Sequence, residues 1–257
     1  AFVKQFPLLM SIHWIDCDKL NPDDTIEKVI NQGTLGIGFI GLAECLKALV
    51  GKHHGESDEA QDLGVKIITF MRDCANDYSE LYQHNYSILA TPAEGLSGRF
   101  TRMDRRKYGT IPGVTDNDYY VNSFHVDVKE SITIVDKIKR EAPFHAITRG
   151  GHITYVELDG EAQKNIKAIA KIVKVMHDEG IGYGSINHPV DRDPVCGYNG
   201  IIGNTCPKCG RNESDGPAFE RIRRITGYLV GTLDRFNNAK RAEVRDRVKH
   251  INVQTNS

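Results

Sequence analysis

Leu35-Gly36-Ile37-Gly38-Phe39-Ile40 is a short, almost wholly apolar run, and it reads as a buried strand. Leu42 to Val50 follows with helical spacing, and Glu59 to Leu81 carries a longer helical pattern. Tyr86-Ser87-Ile88-Leu89-Ala90 returns to a strand pattern, and so does Tyr119 to Val126. Ile132 to Arg140 reads as a helix, His152 to Leu158 as a strand, Glu161 to Glu179 as a helix and Ile181 to Ile186 as a strand. This alternation predicts an α/β fold with a largely parallel sheet. The pattern changes after His188. Residues 189–217 are rich in Gly, Pro, Asp, Asn and Cys and should be irregular. Phe219 to Thr226 suits either a short helix or an extended approach, and Asn237 to Lys249 is a charged helix.

Composition narrows the function. The chain has 257 residues, a formal net charge of -1 and 40% hydrophobic residues, an ordinary globular balance with room for a sizeable core. A polyanion-binding protein would be strongly basic, so nucleic acid is not an expected partner. No apolar run is long enough to cross a membrane. The opening Ala1-Phe2-Val3-Lys4-Gln5-Phe6-Pro7 lacks the pattern of a signal peptide and begins without Met, which reads as a fragment or a processed product. Of six cysteines, Cys17, Cys45 and Cys74 are scattered, whereas Cys196, Cys206 and Cys209 cluster. That distribution is not a secreted disulfide framework. It suits metal binding in a reducing cytosol, so the expected location is cytoplasmic.

Cys206-Pro207-Lys208-Cys209 can seat two thiolates on one ion from a single tight turn, and Gly210 suits that turn. Cys196-Gly197 resembles the second half of another such knuckle, but Asp193 holds the position that would complete it. The expected ion is zinc, with Cys196, Cys206 and Cys209 as ligands. The fourth donor is Asp193 or His188. A redox pair would normally open a helix, which Arg211-Asn212-Glu213 do not favour. Four protein donors leave no open position, so the metal would be structural.

Gly227 lies in Arg221-Ile222-Arg223-Arg224-Ile225-Thr226-Gly227-Tyr228-Leu229, behind a dense basic run and among residues that are not turn formers. Taken alone it reads as a helix C-cap. The segment Arg224 to Leu229, with Arg235-Phe236-Asn237, Lys240 and Glu243, resembles the glycyl-radical loop of anaerobic (class III) ribonucleotide reductases. Other blocks agree in order along the chain: Gln5-Phe6-Pro7, Gly33 to Leu42, Gly51-Lys52-His53-His54-Gly55-Glu56, Ala90 to Phe100, Asn122-Ser123-Phe124-His125-Val126 and Gly182 to Arg192.

The resemblance implies the C-terminal half of a ten-stranded α/β barrel over residues 1–188. A zinc-binding knuckle over 189–217 and a radical loop with a C-terminal helix over 218–257 would follow. It implies anaerobic reduction of ribonucleotides, in triphosphate form, to deoxyribonucleotides. In this family an activase using S-adenosylmethionine and an iron–sulfur cluster removes one hydrogen from the glycine, here Gly227. The stored radical then passes to a cysteine at the substrate. That cysteine and the regulatory nucleotide-binding module belong to upstream regions. The implied partners are therefore the N-terminal portion of the reductase, the activase, and a second copy of the complete enzyme. Cys17, Cys45 and Cys74 lie in other blocks and are expected to be small buried apolar residues.

Glycine suits the radical position on physical grounds. A backbone Cα radical is stabilised when the flanking amides share its spin, which requires a near-planar Cα, and only glycine lacks the Cβ that crowds it. The loop Thr91-Pro92-Ala93-Glu94-Gly95 follows a strand, where α/β folds bind ligands. By resemblance it approaches the substrate, with Glu94 near the ribose. The run Arg99, Arg102, Arg105, Arg106, Lys107 is either a solvated face or an attractor for a triphosphate. His53-His54 with Glu56 reads as structural, and His125, His145 and His152 read as hydrogen-bonded core histidines within strand patterns. Two other readings stand beside the reductase: a glycyl-radical enzyme of the pyruvate formate-lyase type, and a non-catalytic part that docks on an incomplete reductase.

Overall fold

The computed structural model describes residues 5, 20–21, 23–158, 162–188, 190–225, 228–230 and 233–250. After one helical turn at Glu27–Ile30, strand β1 (Thr34–Phe39) leads into helices α1 (Leu42–Val50) and α2 (Asp58–Tyr82), which return the chain to β2 (Asn85–Ala90). β1 and β2 pair in parallel, from Thr34 opposite Asn85 to Phe39 opposite Ala90. A Cβ on Gly38 would run into the Thr91 hydroxyl and force that side chain to turn away. Helix α3 (Gly95–Tyr108) follows β2, and a long buried loop leads to α4 (Ile134–Ile147). β3 (Thr154–Glu157), α5 (Ile166–Asp178) and β4 (Gly184–Asn187) form a second parallel unit, with Thr154 opposite Gly184. A parallel bridge between Leu89 and Gly150 adds the chain leaving α4 to the free side of β2.

Helix α4 joins the two units. Its Phe144 and Ile147 pack with Leu42, Leu46, Ile68, Ile88 and Phe124, while Ile134 and Ile138 pack with Val156, Ile172 and Met176. It runs past the expected end at Arg140 despite Pro143, because buried Ala142, Phe144 and Ile147 continue its apolar face. The rest of the chain is antiparallel. β5 (Val190–Arg192), β6 (Asn199–Gly200), β7 (Glu220–Ile225) and β8 (Tyr228–Val230) form one sheet in the order β6-β5-β7-β8, and α6 (Asn238–Asp246) follows. Residues 190–217 are largely irregular, as their composition suggests, apart from β5, β6 and a short 3-10 turn at Glu213–Asp215, and the approach to Gly227 is extended. Among the described residues no helix is long and apolar enough to cross a membrane.

Four expectations need correction. Leu35 to Ile40 gives a strand but not a buried one: its residues are exposed or half-buried, because among the described residues β1 pairs on one side only, with β2. Tyr119 to Val126 is buried but is not a strand. Its backbone is engaged elsewhere: Val121 and Ser123 carbonyls accept from Gly41 and Leu42, Val121 N–H donates to Glu44 and Val126 N–H to Glu141. Ser123 also takes a positive φ of 39°, which breaks an extended run. Cys45 is exposed and Cys74 half-buried, because each sits on the outer side of an amphipathic helix; Cys17 lies outside the described residues. His145 lies in α4, and His125 and His152 lie in loops rather than strands.

The hydrogen-bonded reading of those histidines holds. His54 Nε2 contacts the Phe124 carbonyl, His125 Nε2 the Ile153 carbonyl and His145 Nε2 the Thr154 hydroxyl. Burial pushes His54, His125, His145 and His250 each down to about 4. These folded values lie below the ordinary 6.5, so the stability they contribute is complete above pH 6.5 and is lost as pH falls toward 4. Burial pushes Glu44 up to about 8, which acts in the opposite sense, but as one group against four. The expected result is a fall in the urea midpoint between pH 7 and pH 5, with roughly 1–2 kcal/mol lost per buried histidine at pH 5. An equal or higher midpoint at pH 5 would contradict this account of the core.

Candidate functional site

Two turns of closely matching design converge at residues 193–211. In the first, Gly197 N–H donates to the Asp193 carbonyl at 2.9 Å, and Asp193 N–H donates to the Tyr198 carbonyl at 2.9 Å. In the second, Gly210 N–H donates to the Cys206 carbonyl at 2.9 Å, and Cys206 N–H donates to the Arg211 carbonyl at 2.8 Å. Gly197 and Gly210 follow Cys196 and Cys209 with φ of 70° and 73°, a left-handed conformation that glycine adopts without strain. Asp193 therefore stands in the first knuckle where Cys206 stands in the second.

The donor atoms of Asp193, Cys196, Cys206 and Cys209 all lie within 4.8 Å of one another. The Cys196 and Cys206 sulfurs are 3.6 Å apart, and Asp193 Oδ2 lies 3.5 Å from Cys196 Sγ and 3.3 Å from Cys209 Sγ. Tetrahedral zinc with Zn–S bonds of ~2.3 Å sets sulfurs about 3.8 Å apart, so the cluster fits such an ion with little movement. His188 is not among the gathered donors. Burial would raise the Cys206 thiol, but backbone N–H groups of Cys209 and Lys208 outweigh it and draw the thiol down. Arg211 beside Asp193 holds its carboxyl well below the usual carboxylate range. Ile202, Cys206 and Phe219 form a small core beneath the knuckles.

The knuckles are riveted to the hairpin β7–β8. Asp191 in β5 is buried, accepts from Ile202 N–H at 3.0 Å and pairs with Arg223 at 2.6 Å and Arg221 at 3.5 Å. Arg221 also reaches the carbonyls of Ile202 and Gly203. The basic run is thus largely engaged in holding the hairpin. Ile225 pairs with Tyr228, and Thr226 and Gly227 between them lie outside the described residues.

On its other side the hairpin meets the parallel strands. Arg224 donates to the Tyr183 hydroxyl at 2.9 Å. Arg247, just beyond α6, donates to the Arg224 carbonyl at 3.5 Å, to Glu243 at 2.8 Å and to Glu157 at the end of β3. Buried Lys240 pairs with Glu243 at 2.7 Å. Burial acts to raise Glu243, but Arg247 and Lys240 outweigh it and hold the carboxyl below its usual range. Residue spacing alone left Arg211, Arg247 and Glu157 unassigned. The signals were Glu243-x-x-x-Arg247, an i,i+4 pair on one helix face, and the arginine directly after Cys209-Gly210.

The loop Thr91–Glu94 lies at the C-terminal end of β2, immediately before α3. Ala93 is buried, and Ser97 donates to the Glu94 carbonyl at 3.0 Å. Helix α6 packs against α3, and a Cβ on Gly98 would approach that of Ala239 to 2.7 Å. Within the basic run, Arg105 donates to the carbonyls of Thr115 and Asn117, a structural use. Near α1, His53, Glu56 and Glu130 also come together. His53 Nδ1 accepts from Gly55 N–H at 3.0 Å, so its neutral tautomer carries the proton on Nε2, which faces Glu56 and Glu130 at 3.7 and 3.5 Å. His53 is thus hydrogen-bonded within its own turn through Nδ1, which agrees with the structural reading of His53-His54 with Glu56.

Removing Glu243 would leave Lys240 and Arg247 buried with one carboxylate fewer. Glu243→Ala is expected to cost about 3–5 kcal/mol in denaturant unfolding, since breaking a buried pair leaves uncompensated charge. A loss below about 1 kcal/mol would contradict the buried network.

Residues 1–250 match the family model described as anaerobic ribonucleoside-triphosphate reductase. The chain is 36% identical over 242 residues to the anaerobic ribonucleoside-triphosphate reductase of Escherichia coli (strain K12), covering 91% of this chain and 33% of that protein. It is 38% identical over 243 residues to the enzyme of that name from Enterobacteria phage T4, covering 90% and 37%. The chain thus spans about a third of the length of these relatives. A solved anaerobic ribonucleotide reductase superposes with a TM-score of 0.70 at 22% identity, over 87% of this chain and 35% of that one. The Thermotoga maritima enzyme in complex with dATP and CTP gives 0.61 at 21% identity, over 81% and 33%. At such identities these structures speak for the fold, while the family match over nearly the whole sequence carries the assignment: this chain belongs to the anaerobic ribonucleoside-triphosphate reductase family.

Proposed function

We propose that this chain supplies the radical-storing C-terminal part of an enzyme that reduces ribonucleoside triphosphates to deoxyribonucleotides. Residues 1–188 would form the second half of the catalytic α/β barrel, 189–217 the metal knuckle and 218–257 the glycyl-radical loop with its C-terminal helix. The observation that carries this reading is the hairpin β7–β8. It is tied to the donor cluster through Asp191, to the end of β3 through Arg247 and to Tyr183, just before β4, through Arg224, and Gly227 falls in sequence between its paired residues Ile225 and Tyr228.

Gly227 would hold the unpaired spin after a hydrogen atom is removed from its Cα by an S-adenosylmethionine-dependent iron–sulfur activase. Cys196, Cys206, Cys209 and Asp193 would hold zinc, which supplies structural closure of the two knuckles. Thr91, Pro92 and Ala93 would contact the substrate, with the α3 N-terminus suited to phosphate oxygens and Glu94 to a ribose hydroxyl. Support comes from the neighbourhood of the two regions. The charge of Glu94 acts on Lys240, and Gly98 of α3 lies against Ala239 of α6. The loop after β2 and the helix after Gly227 thus share one face. The N-terminal portion of the reductase would complete the barrel by covering its open strand edges, and the complete enzyme would be a homodimer.

Gly227→Ala tests this reading in protein reconstituted with the complementary portion and activase. The variant should keep the wild-type circular dichroism, show no radical signal in electron paramagnetic resonance and give no turnover. Neither portion alone should turn over. A glycine needed only for its turn would cost roughly 1 kcal/mol of stability when replaced and leave activity intact. Wild-type turnover by Gly227→Ala would therefore overturn the radical assignment.

A further inference from the structure

The carboxylate of Asp193 is divided between two environments. Oδ2 faces the sulfurs of Cys196 and Cys209 at 3.5 and 3.3 Å. Oδ1 accepts from Val195 N–H at 2.9 Å and from Arg211 Nη2 at 2.8 Å. Arg211 Nε lies beside Oδ2 at 3.4 Å, so the guanidinium meets the carboxylate side-on. Arg211 is itself fixed. Its Nη1 donates to the Pro217 carbonyl at 2.8 Å, and its guanidinium lies 4.4 Å from the centre of the Phe219 ring. Asp193 is fully buried, so this geometry is not a passing surface contact.

We propose that Arg211 is a positioning residue for the metal donor set: it holds Asp193 as a one-oxygen donor and offsets the charge that this donor adds. The proposal rests on the reading that the knuckles hold a divalent ion. A carboxylate can bind through one oxygen, chelate through both or turn away. With Oδ1 held by Arg211 and Val195, one oxygen remains for the ion. Three thiolates and a carboxylate around a divalent cation leave two negative charges in a buried place, and the adjacent guanidinium reduces this to one. Such a donor set is harder than four thiolates, and replacing Asp193 by cysteine should shift preference toward softer ions such as cadmium.

The test is anaerobic titration of the full chain with cobalt(II), followed by zinc competition against a chromophoric chelator. The wild type should give a tetrahedral cobalt spectrum with thiolate charge transfer from three sulfurs, and Asp193→Cys should intensify that band as the fourth sulfur joins. Arg211→Ala should weaken zinc binding by roughly 10–100-fold, the usual loss for an outer partner of a ligand. In the Asp193→Cys background the same change should cost clearly less, since no carboxylate remains to be held and only the charge offset is lost. Equal losses in both backgrounds would mean that Arg211 only tethers the loop through Pro217 and Phe219, and would overturn the proposal. Arg211→Lys keeps the cation without the fork and should also lose at least about tenfold. Wild-type affinity in Arg211→Lys would likewise overturn it. A wild-type chain that binds neither ion would instead overturn the metal reading on which the proposal rests.

Discussion

The guanidinium of Arg247 lies between the carboxylates of Glu157 and Glu243, and three separate parts of the fold meet there. Glu157 ends a parallel strand, Glu243 belongs to the last helix, and the Arg224 carbonyl that Arg247 also reaches lies in the strand leading to Gly227. Such a buried group is tolerated only while every partner stays in place, because a lone charge in that environment is costly. The same constraint gives the site its register. A shift of α6 would break the pair with Glu157, and a shift of the hairpin would break the bond to the Arg224 carbonyl, so helix and hairpin are both tied to the end of β3. The knuckles hold the opposite side of the hairpin through Asp191, Arg221 and Arg223.

Much of the parallel body was legible in the sequence. Helix α1 follows directly from Leu42–Val50, because it buries one face with the period of its backbone, whereas Leu35–Ile40 gave β1 as a strand but misjudged its burial, since its residues are exposed or half-buried. Tyr119–Val126 was misread because apolar content reports burial rather than extension. Its N–H and C=O groups bond to Glu44, Glu141 and the start of α1, contacts that no local pattern encodes. Cys45 was misread for the opposite reason: a cysteine can face outward when neighbouring Leu42 and Leu46 supply the buried face of the helix.

The site was legible where chemistry is local. Cys206-x-x-Cys209-Gly210 announces a knuckle from spacing alone. The sequence did not decide between Asp193 and His188, because the answer lies in the repetition of backbone bonds between the two knuckles, and that repetition gathers Asp193. Arg211, Arg247 and Glu157 were missed for a further reason. Their roles depend on partners at a distance in the chain, as with Arg247 and Glu157, 90 residues apart.

We propose Gly227, which falls in sequence between the two strands of this hairpin, as the radical carrier. Oxygen attacks a backbone carbon radical and cuts the chain at that residue, which gives the claim a signature in mass rather than in rate. The decisive measurement is mass spectrometry of the reconstituted enzyme after activation and brief exposure to air, beside an unactivated control. The account predicts a C-terminal fragment beginning near Tyr228 only after activation. Cleavage at another position, or equal cleavage without activation, would contradict it.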